Sequence, residues 1–143
     1  SKKFICFKLN LILNNLVHSI QNIIQGNTIS HPYHKNENGA LEKFDFIVSN
    51  PPYIKTDVID TLMSDVKDFE HHSALDGMDD GLYFYRQITD RGYDMIRPGG
   101  FVAFEIGFDQ GEEVSELMKK RGYRDVEIRK DLAGLDRVVT GFR

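Results

Sequence analysis

The stretch Phe44-Asp45-Phe46-Ile47-Val48-Ser49-Asn50-Pro51-Pro52-Tyr53 constrains the chain more than any other. Phe46, Ile47 and Val48 are apolar on consecutive positions, the pattern of a strand covered on both faces in a parallel sheet. Two prolines then end the run. Neither donates a backbone hydrogen bond, and each fixes its own φ while pushing the preceding residue toward extended geometry. This predicts a stiff tetrapeptide at the carboxyl end of a buried strand, where open α/β sheets hold their ligands.

Taken alone, Asn50-Pro51-Pro52-Tyr53 is an ordinary turn, since Asn and Pro are common turn formers. At the end of an apolar strand it also suits a particular chemistry. An NH2 group on a planar system has two hydrogens to satisfy and a delocalised, weakly nucleophilic lone pair. The Asn50 side-chain carbonyl accepts one hydrogen and the Pro51 main-chain carbonyl the other, so the nitrogen is held with its lone pair out of the plane. Tyr53 then covers the flat face. Against a sulfonium methyl no general base is needed before attack, because the proton leaves afterwards and positioning does most of the catalysis. An apolar strand entering such a corner, with Asp45 near its start, is similar to the arrangement in amino-directed methyltransferases that use S-adenosylmethionine.

At 143 residues the chain is one domain or a piece of one, long enough for a sizeable core. Its formal net charge of -4 gives no global case for nucleic acid, which usually needs a basic face. The single Cys6 excludes an internal disulfide and a cysteine-built zinc site, so a reducing cytoplasm is expected. His18, His31 and His34 lack a completing carboxylate or thiol at ligand spacing and are expected to be solvated, with no metal.

In the first 25 residues Ile5, Leu9, Ile12, Leu16, Ile20 and Ile23 recur at threes and fours, which predicts an amphipathic helix. In an alternative split the helix stops near Asn14-Asn15 and residues 20–25 form a short strand before Gly26-Asn27. The segment is too polar for a membrane span and no small-residue cleavage site follows, which argues against a signal peptide. The chain has no initiating Met and is expected to be a processed or excised piece. Residues 27–39 read as a polar loop.

After the corner, a short helix is expected near Thr56-Asp57, containing Val58, Ile59, Leu62 and Met63. Between Asp57 and Asp80 the acidic residues Asp57, Asp60, Asp65, Asp68, Glu70, Asp76, Asp79 and Asp80 face only Lys67. This reads equally as a solvated flap or as a lid attracting a basic macromolecular substrate. A helix capped by Asp79 or Asp80 and ended by Arg97-Pro98-Gly99-Gly100 follows, then a strand from Phe101 to Ile106. Asp109-Gln110-Gly111-Glu112 resembles a capping box opening a helix that stops at Gly122. Residues 126–129 and 137–142 alternate like two half-exposed strands, joined by a connection too long for a two-residue turn.

Four stretches together resemble the release-factor glutamine methyltransferases of the HemK/PrmC type: FDFIVSNPPYI, SALDGMDDGLYFYRQI, RPGGFVAFEIGFDQGEEV and VEIRKDLAGLDRVV. The likeness runs from about Lys43 to the end, and the set in this order is far more specific than Asn-Pro-Pro-Tyr, which nucleic-acid amino methyltransferases share. It implies an α/β fold, the second half of a doubly wound Rossmann-like S-adenosylmethionine-dependent methyltransferase domain with a terminal antiparallel strand pair. Residues 1–40 are then an amino-terminal helical or strand remnant with a polar loop, and residues 41–143 the C-terminal half of the catalytic domain. The resemblance implies that Asn50 and Pro51 hold a substrate glutamine amide, with Pro52 completing the corner. Tyr53 packs on the amide, and Asn50 also lies against the cofactor. Asn27 and Thr28 fall where the strand bordering the adenine ends, with Asn27 in place of the usual acidic residue.

Departures accompany the likeness. His71 stands where family members commonly carry Pro after the glutamate matching Glu70, and no glycine-rich cofactor loop or amino-terminal recognition domain occurs in the sequence. The expected substrate is a glutamine in a peptide chain release factor, and nucleic-acid amino methylation is the runner-up. A non-catalytic remnant or interaction module is the alternative of a different class. Loss of the first strands of a doubly wound sheet should bare an apolar edge beside Phe46 and Val48, so a homo-oligomer through that edge is expected.

Overall fold

The computed structural model describes residues 4–7, 43–59, 61 and 75–143. Five strands and three helices are defined there: β1 (Phe4–Phe7), β2 (Phe44–Ser49), α1 (Thr56–Ile59), α2 (Tyr83–Met95), β3 (Ile96–Glu105), α3 (Gly111–Arg121), β4 (Arg124–Lys130) and β5 (Asp136–Phe142). The strands form one sheet in the order β1-β2-β3-β5-β4. β1, β2 and β3 run parallel, whereas β5 is antiparallel to both β3 and β4. This is the second half of a doubly wound α/β domain closed by an antiparallel strand pair, as the family resemblance implied.

The apolar periodicities place the core on one face of the sheet. Ile47, Val102, Phe104 and Val139 meet Phe84, Tyr85 and Ile88 of α2 and Val114 and Met118 of α3, all buried. The Tyr85 and Phe104 rings cross edge to face at 5.4 Å, the geometry that aromatic quadrupoles favour. On the other face Phe46 stacks on Phe101 at 5.3 Å and Phe101 lies 5.7 Å from Phe142, which is exposed. Among the described residues β2 is therefore buried on one face and only half-buried on the other: Ile47 and Ser49 are buried while Phe46 and Val48 are intermediate.

Three expectations change. Phe4–Phe7, read as the start of an amphipathic helix, is a strand in parallel register with Phe46–Ser49. It fills the edge of β2 that was expected to be bare. Ladder pairing with β2 outweighs a weak local helical period here; the rest of that helix, and the alternative strand at 20–25, lie outside the described residues. Second, Arg97-Pro98-Gly99-Gly100 does not separate α2 from its strand. β3 starts at Ile96, directly after the helix, and the four residues form an irregularity in its pairing with β2 between Phe44 and Phe46. Gly99 supplies a left-handed φ of 79°, while Gly100 passes so close to the Asp45 carbonyl that a β-carbon would lie 2.4 Å from it. An Arg97–Asp45 ion pair spans the same irregularity.

Third, the capping box before α3 is not formed. Gln110 occupies the N-cap position but makes no side-chain cap hydrogen bond. Other helix signals hold. α3 ends at Gly122, in the left-handed conformation with φ 108°, and the five residues between β4 and β5 fold around Asp131, whose Oδ1 accepts from the amides of Ala133 and Leu135.

Candidate active site

β2 ends at Ser49, beside Phe104 of β3 and Phe7 of β1, and the chain turns at once into Asn50-Pro51-Pro52-Tyr53. The prolines stop pairing because neither can donate to a neighbouring strand. Both are buried; Asn50 is half-buried, and Tyr53 packs against the core cluster. No hydrogen bond engages the Asn50 side chain with another described residue, so its amide is available to a ligand. The Ser49 hydroxyl just before it is buried with no partner among the described residues.

Past the corner the chain does not wander. Ile54 forms a parallel bridge with Asp76, its amide donating to the Leu75 carbonyl at 3.0 Å and its carbonyl accepting from the Gly77 amide at 2.8 Å. Asp76 Oδ1 accepts from the Thr56 hydroxyl at 2.7 Å and from the Met78 amide at 2.9 Å. The loop at 75–82 thus lies on the backbone of Tyr53. A β-carbon on Gly77 would come within 2.8 Å of the Tyr53 Cα, and one on Gly81 within 2.5 Å of the Tyr53 carbonyl oxygen.

A second loop, between β3 and α3, reaches the same place. Gln110 Nε2 donates to the Tyr53 carbonyl at 3.0 Å and to the Gly81 carbonyl at 3.4 Å, and its Oε1 accepts from the Gly107 amide at 3.1 Å. Behind the corner the buried Tyr85 hydroxyl donates to the Glu105 carbonyl at 2.9 Å. Burial first, then the neighbouring Tyr53 and Glu105, pushes that hydroxyl well above the ordinary tyrosine range, so it remains a neutral donor. At the start of α2, Asp80 accepts from Arg86 and from the Leu82 amide, and these bonds, the arginine's first, hold its carboxyl below the usual range. Asp80 therefore acts on the turn before the helix rather than as its N-cap, which is Leu82.

Of the residues singled out in the sequence, Asn50, Pro51, Pro52 and Tyr53 stand together at the carboxyl end of β2, while Asn27 and Thr28 lie outside the described residues. Gln110 was missed. Its place in a capping-box pattern points to the start of a helix, and two of the three bonds that it makes, to Tyr53 and Gly81, run to segments distant in sequence. Of the acidic stretch, only its two ends are described. His18, His31 and His34 lie outside the described residues, among which no cluster of His, Cys, Asp and Glu is arranged for a metal. No described helix is long and apolar enough to cross a membrane.

Residues 4–109 match the family described as Eco57I restriction-modification methylase. The chain is 50% identical over 117 residues to the release factor glutamine methyltransferase of Clostridium acetobutylicum, covering 76% of this chain and 41% of that protein. It is 38% identical over 133 residues to the protein of the same name from Fusobacterium nucleatum, covering 90% of this chain and 35% of that one. The chain thus spans about two-fifths or less of the length of these curated relatives. Among solved structures, a methyltransferase from Pyrococcus furiosus superposes with a TM-score of 0.50 at 17% identity, over 99% of this chain and 62% of that one, a likeness of fold.

Proposed function

The chain belongs to the methylase family that it matches over residues 4–109, and on that premise we propose that it is part of a HemK/PrmC-type release factor glutamine methyltransferase, as its similarity to relatives of that name supports, and that its corner holds the side-chain amide of a release-factor glutamine for methylation. The observation that carries the reading is the half-buried Asn50 amide, free of other described residues, at the carboxyl end of a parallel strand and backed by two buried prolines. A planar NH2 needs two fixed acceptors, and an uncharged oxygen at Asn50 with the main-chain carbonyl of Pro51 is such a pair.

The methyl donor implied by the family is S-adenosylmethionine, and the residues at the corner fit its sulfonium end, while the glycine-rich loop that would grip the rest of it does not occur in this sequence. The corner offers neutral oxygens, and the loop lying on it carries Asp76, Asp79 and Asp80, so a sulfonium meets no opposing cation in that loop. When bound, the donor would supply an electrophilic methyl on a sulfonium sulfur whose leaving form is a neutral thioether. Asn50 and Pro51 would orient the acceptor nitrogen with its lone pair out of the amide plane, ready to take that methyl. Tyr53 covers one flat face of the amide. The nitrogen, briefly cationic, then loses a proton to solvent, and Asn50 stabilises that charge through its carbonyl dipole. The resemblance implies that Asn27 and Thr28 contact the cofactor; both lie outside the described residues. This reading carries with it a cytoplasmic location, where the proposed release-factor substrate would be met.

The second reading, transfer to an adenine amino group, is favoured by the name of the matching family. Against it stand the net charge of -4 and the acidic stretch at 57–80, which repel a phosphate backbone. The test is to incubate the full-length protein with labelled S-adenosylmethionine and either purified release factor or duplex DNA. Label on a glutamine side-chain amide of the release factor is the expected result; label on adenine alone would replace this reading with the second.

A further inference from the structure

We propose that Gln110 is the positioning residue of the Asn50-Pro51-Pro52-Tyr53 corner: its side-chain amide clasps the Tyr53 carbonyl to the two loops that flank the site. This rests on the reading of the corner as the acceptor site and adds a residue to it.

Three observations meet here. The corner is stiff within itself, but nothing in its prolines sets where it stands relative to β3 and α2. That relation is set after Tyr53, where Gln110 Nε2 holds the carbonyls of Tyr53 and Gly81, and Oε1 holds the Gly107 amide. All of the polar capacity that a neutral amide offers is engaged except one acceptor lone pair, at a residue only 7% exposed. The approach is close on every side: β-carbons at Gly77 and Gly81 would strike Tyr53 backbone atoms, and one at Gly107 would lie 2.9 Å from Gln110 Oε1. Finally, Gln110 stands at the N-cap of α3 and leaves the helix amides uncapped by its side chain, so the side chain is committed to the corner at the expense of its own helix.

A clasp of this kind acts through geometry. Displacement of a reacting group by about 1 Å can cost 10²-fold in rate, and two donors on one rigid amide fix both the Tyr53 carbonyl and the loop lying over it. Gln110 touches neither amide nor methyl; Asn50 and Pro51 do.

The test uses two isosteric variants. Gln110→Glu keeps the acceptor for Gly107 and loses both donors; Gln110→Met loses all three bonds without adding charge. If Gln110 only satisfied the Gly107 amide, Glu would behave as wild type. The clasp predicts instead that both variants disturb the corner. In the 143-residue chain the side-chain amide resonances of Asn50 and the ring resonances of Tyr53 should shift or broaden in both. In the full-length enzyme kcat toward the glutamine acceptor should fall about 10- to 100-fold with KM held within about twofold. Folded variants with wild-type Asn50 and Tyr53 resonances overturn the proposal, as does a Gln110→Glu variant with wild-type kcat. Failure of the wild-type protein to methylate a glutamine would count against the proposed function, while the resonances still decide the clasp.

Discussion

The carbonyl oxygen of Tyr53 lies 2.5 Å from the point where a β-carbon on Gly81 would stand. Gly81 also has φ 73°, so a side chain there meets both a backbone penalty and an overlap with main chain that cannot step aside. Gly134, at φ 81°, has the same backbone need but open space around it. Gly134→Ala should cost about 1–2 kcal/mol, and Gly81→Ala a further 1–3 kcal/mol or so. Urea unfolding of the two variants beside wild type measures the difference, and equal costs would mean that the loop does not lie on Tyr53 as described.

Tyr85 supports the site from behind. Its buried hydroxyl donates to the Glu105 carbonyl at the last residue of β3. Tyr85→Phe keeps the ring's packing on Phe104 and leaves that carbonyl unpaired, so a loss of about 1–2 kcal/mol is expected. Tyr85→Ala should cost about 3–5 kcal/mol, because the whole ring is removed from the core. The denaturation midpoints of the pair separate the hydroxyl from the ring.

Acid should weaken two turns, one beside the site and one between β4 and β5. Asp80, bonded to Arg86 and the Leu82 amide, and Asp131, bonded first to the Leu135 amide and then to Arg137, both have carboxyl pKa values below the ordinary range. A carboxylate that is more acidic folded than unfolded contributes stability that is complete above its unfolded pKa, about 3.9 for Asp, and is lost as pH falls through the folded value. Thermal midpoints should therefore be insensitive to these groups near neutrality and drop below about pH 4. Asp80→Asn should lower the neutral midpoint slightly and flatten the acid limb; an unchanged limb would mean that Asp80 is not bonded in this way.

The sequence makes some of this architecture readable and hides the rest for physical reasons. Proline's missing donor and the consecutive apolar residues are local properties, so β2 and its corner could be placed from them. The threes and fours of Leu82, Tyr85, Ile88 and of Val114, Leu117, Met118 are likewise local, and α2 and α3 follow. Phe4–Phe7 is a strand because β2 offers an edge to pair with, which a reading of its own neighbours cannot reveal. Arg97-Pro98-Gly99-Gly100 looks like punctuation, yet Gly100 is required by its approach to Asp45, 55 residues earlier in the chain. Gln110 presents the same problem within the site: its partner Tyr53 is 57 residues away, and the local pattern points to a different use of its side chain.

In the proposed function Tyr53 covers the acceptor amide with its ring. Tyr53→Phe should then retain most of the methylation rate, whereas Tyr53→Ala should lose about tenfold or more together with some stability, since the ring also packs on the core. Steady-state rates and thermal midpoints on both variants check this, and equal loss of rate in Phe and Ala would move the role to the hydroxyl.

The most direct measurement is single-turnover methyl transfer to a release-factor glutamine by the full-length protein, wild type against Asn50→Ala and Asn50→Asp, with thermal midpoints taken in parallel. Removal of one amide acceptor should slow transfer by about 10²-fold in a protein that still folds, with substrate affinity much less affected. Asn50→Asp keeps an oxygen in nearly the same place and should retain part of the rate. An Asn50→Ala protein that is fully folded and transfers the methyl at the wild-type rate would contradict the account.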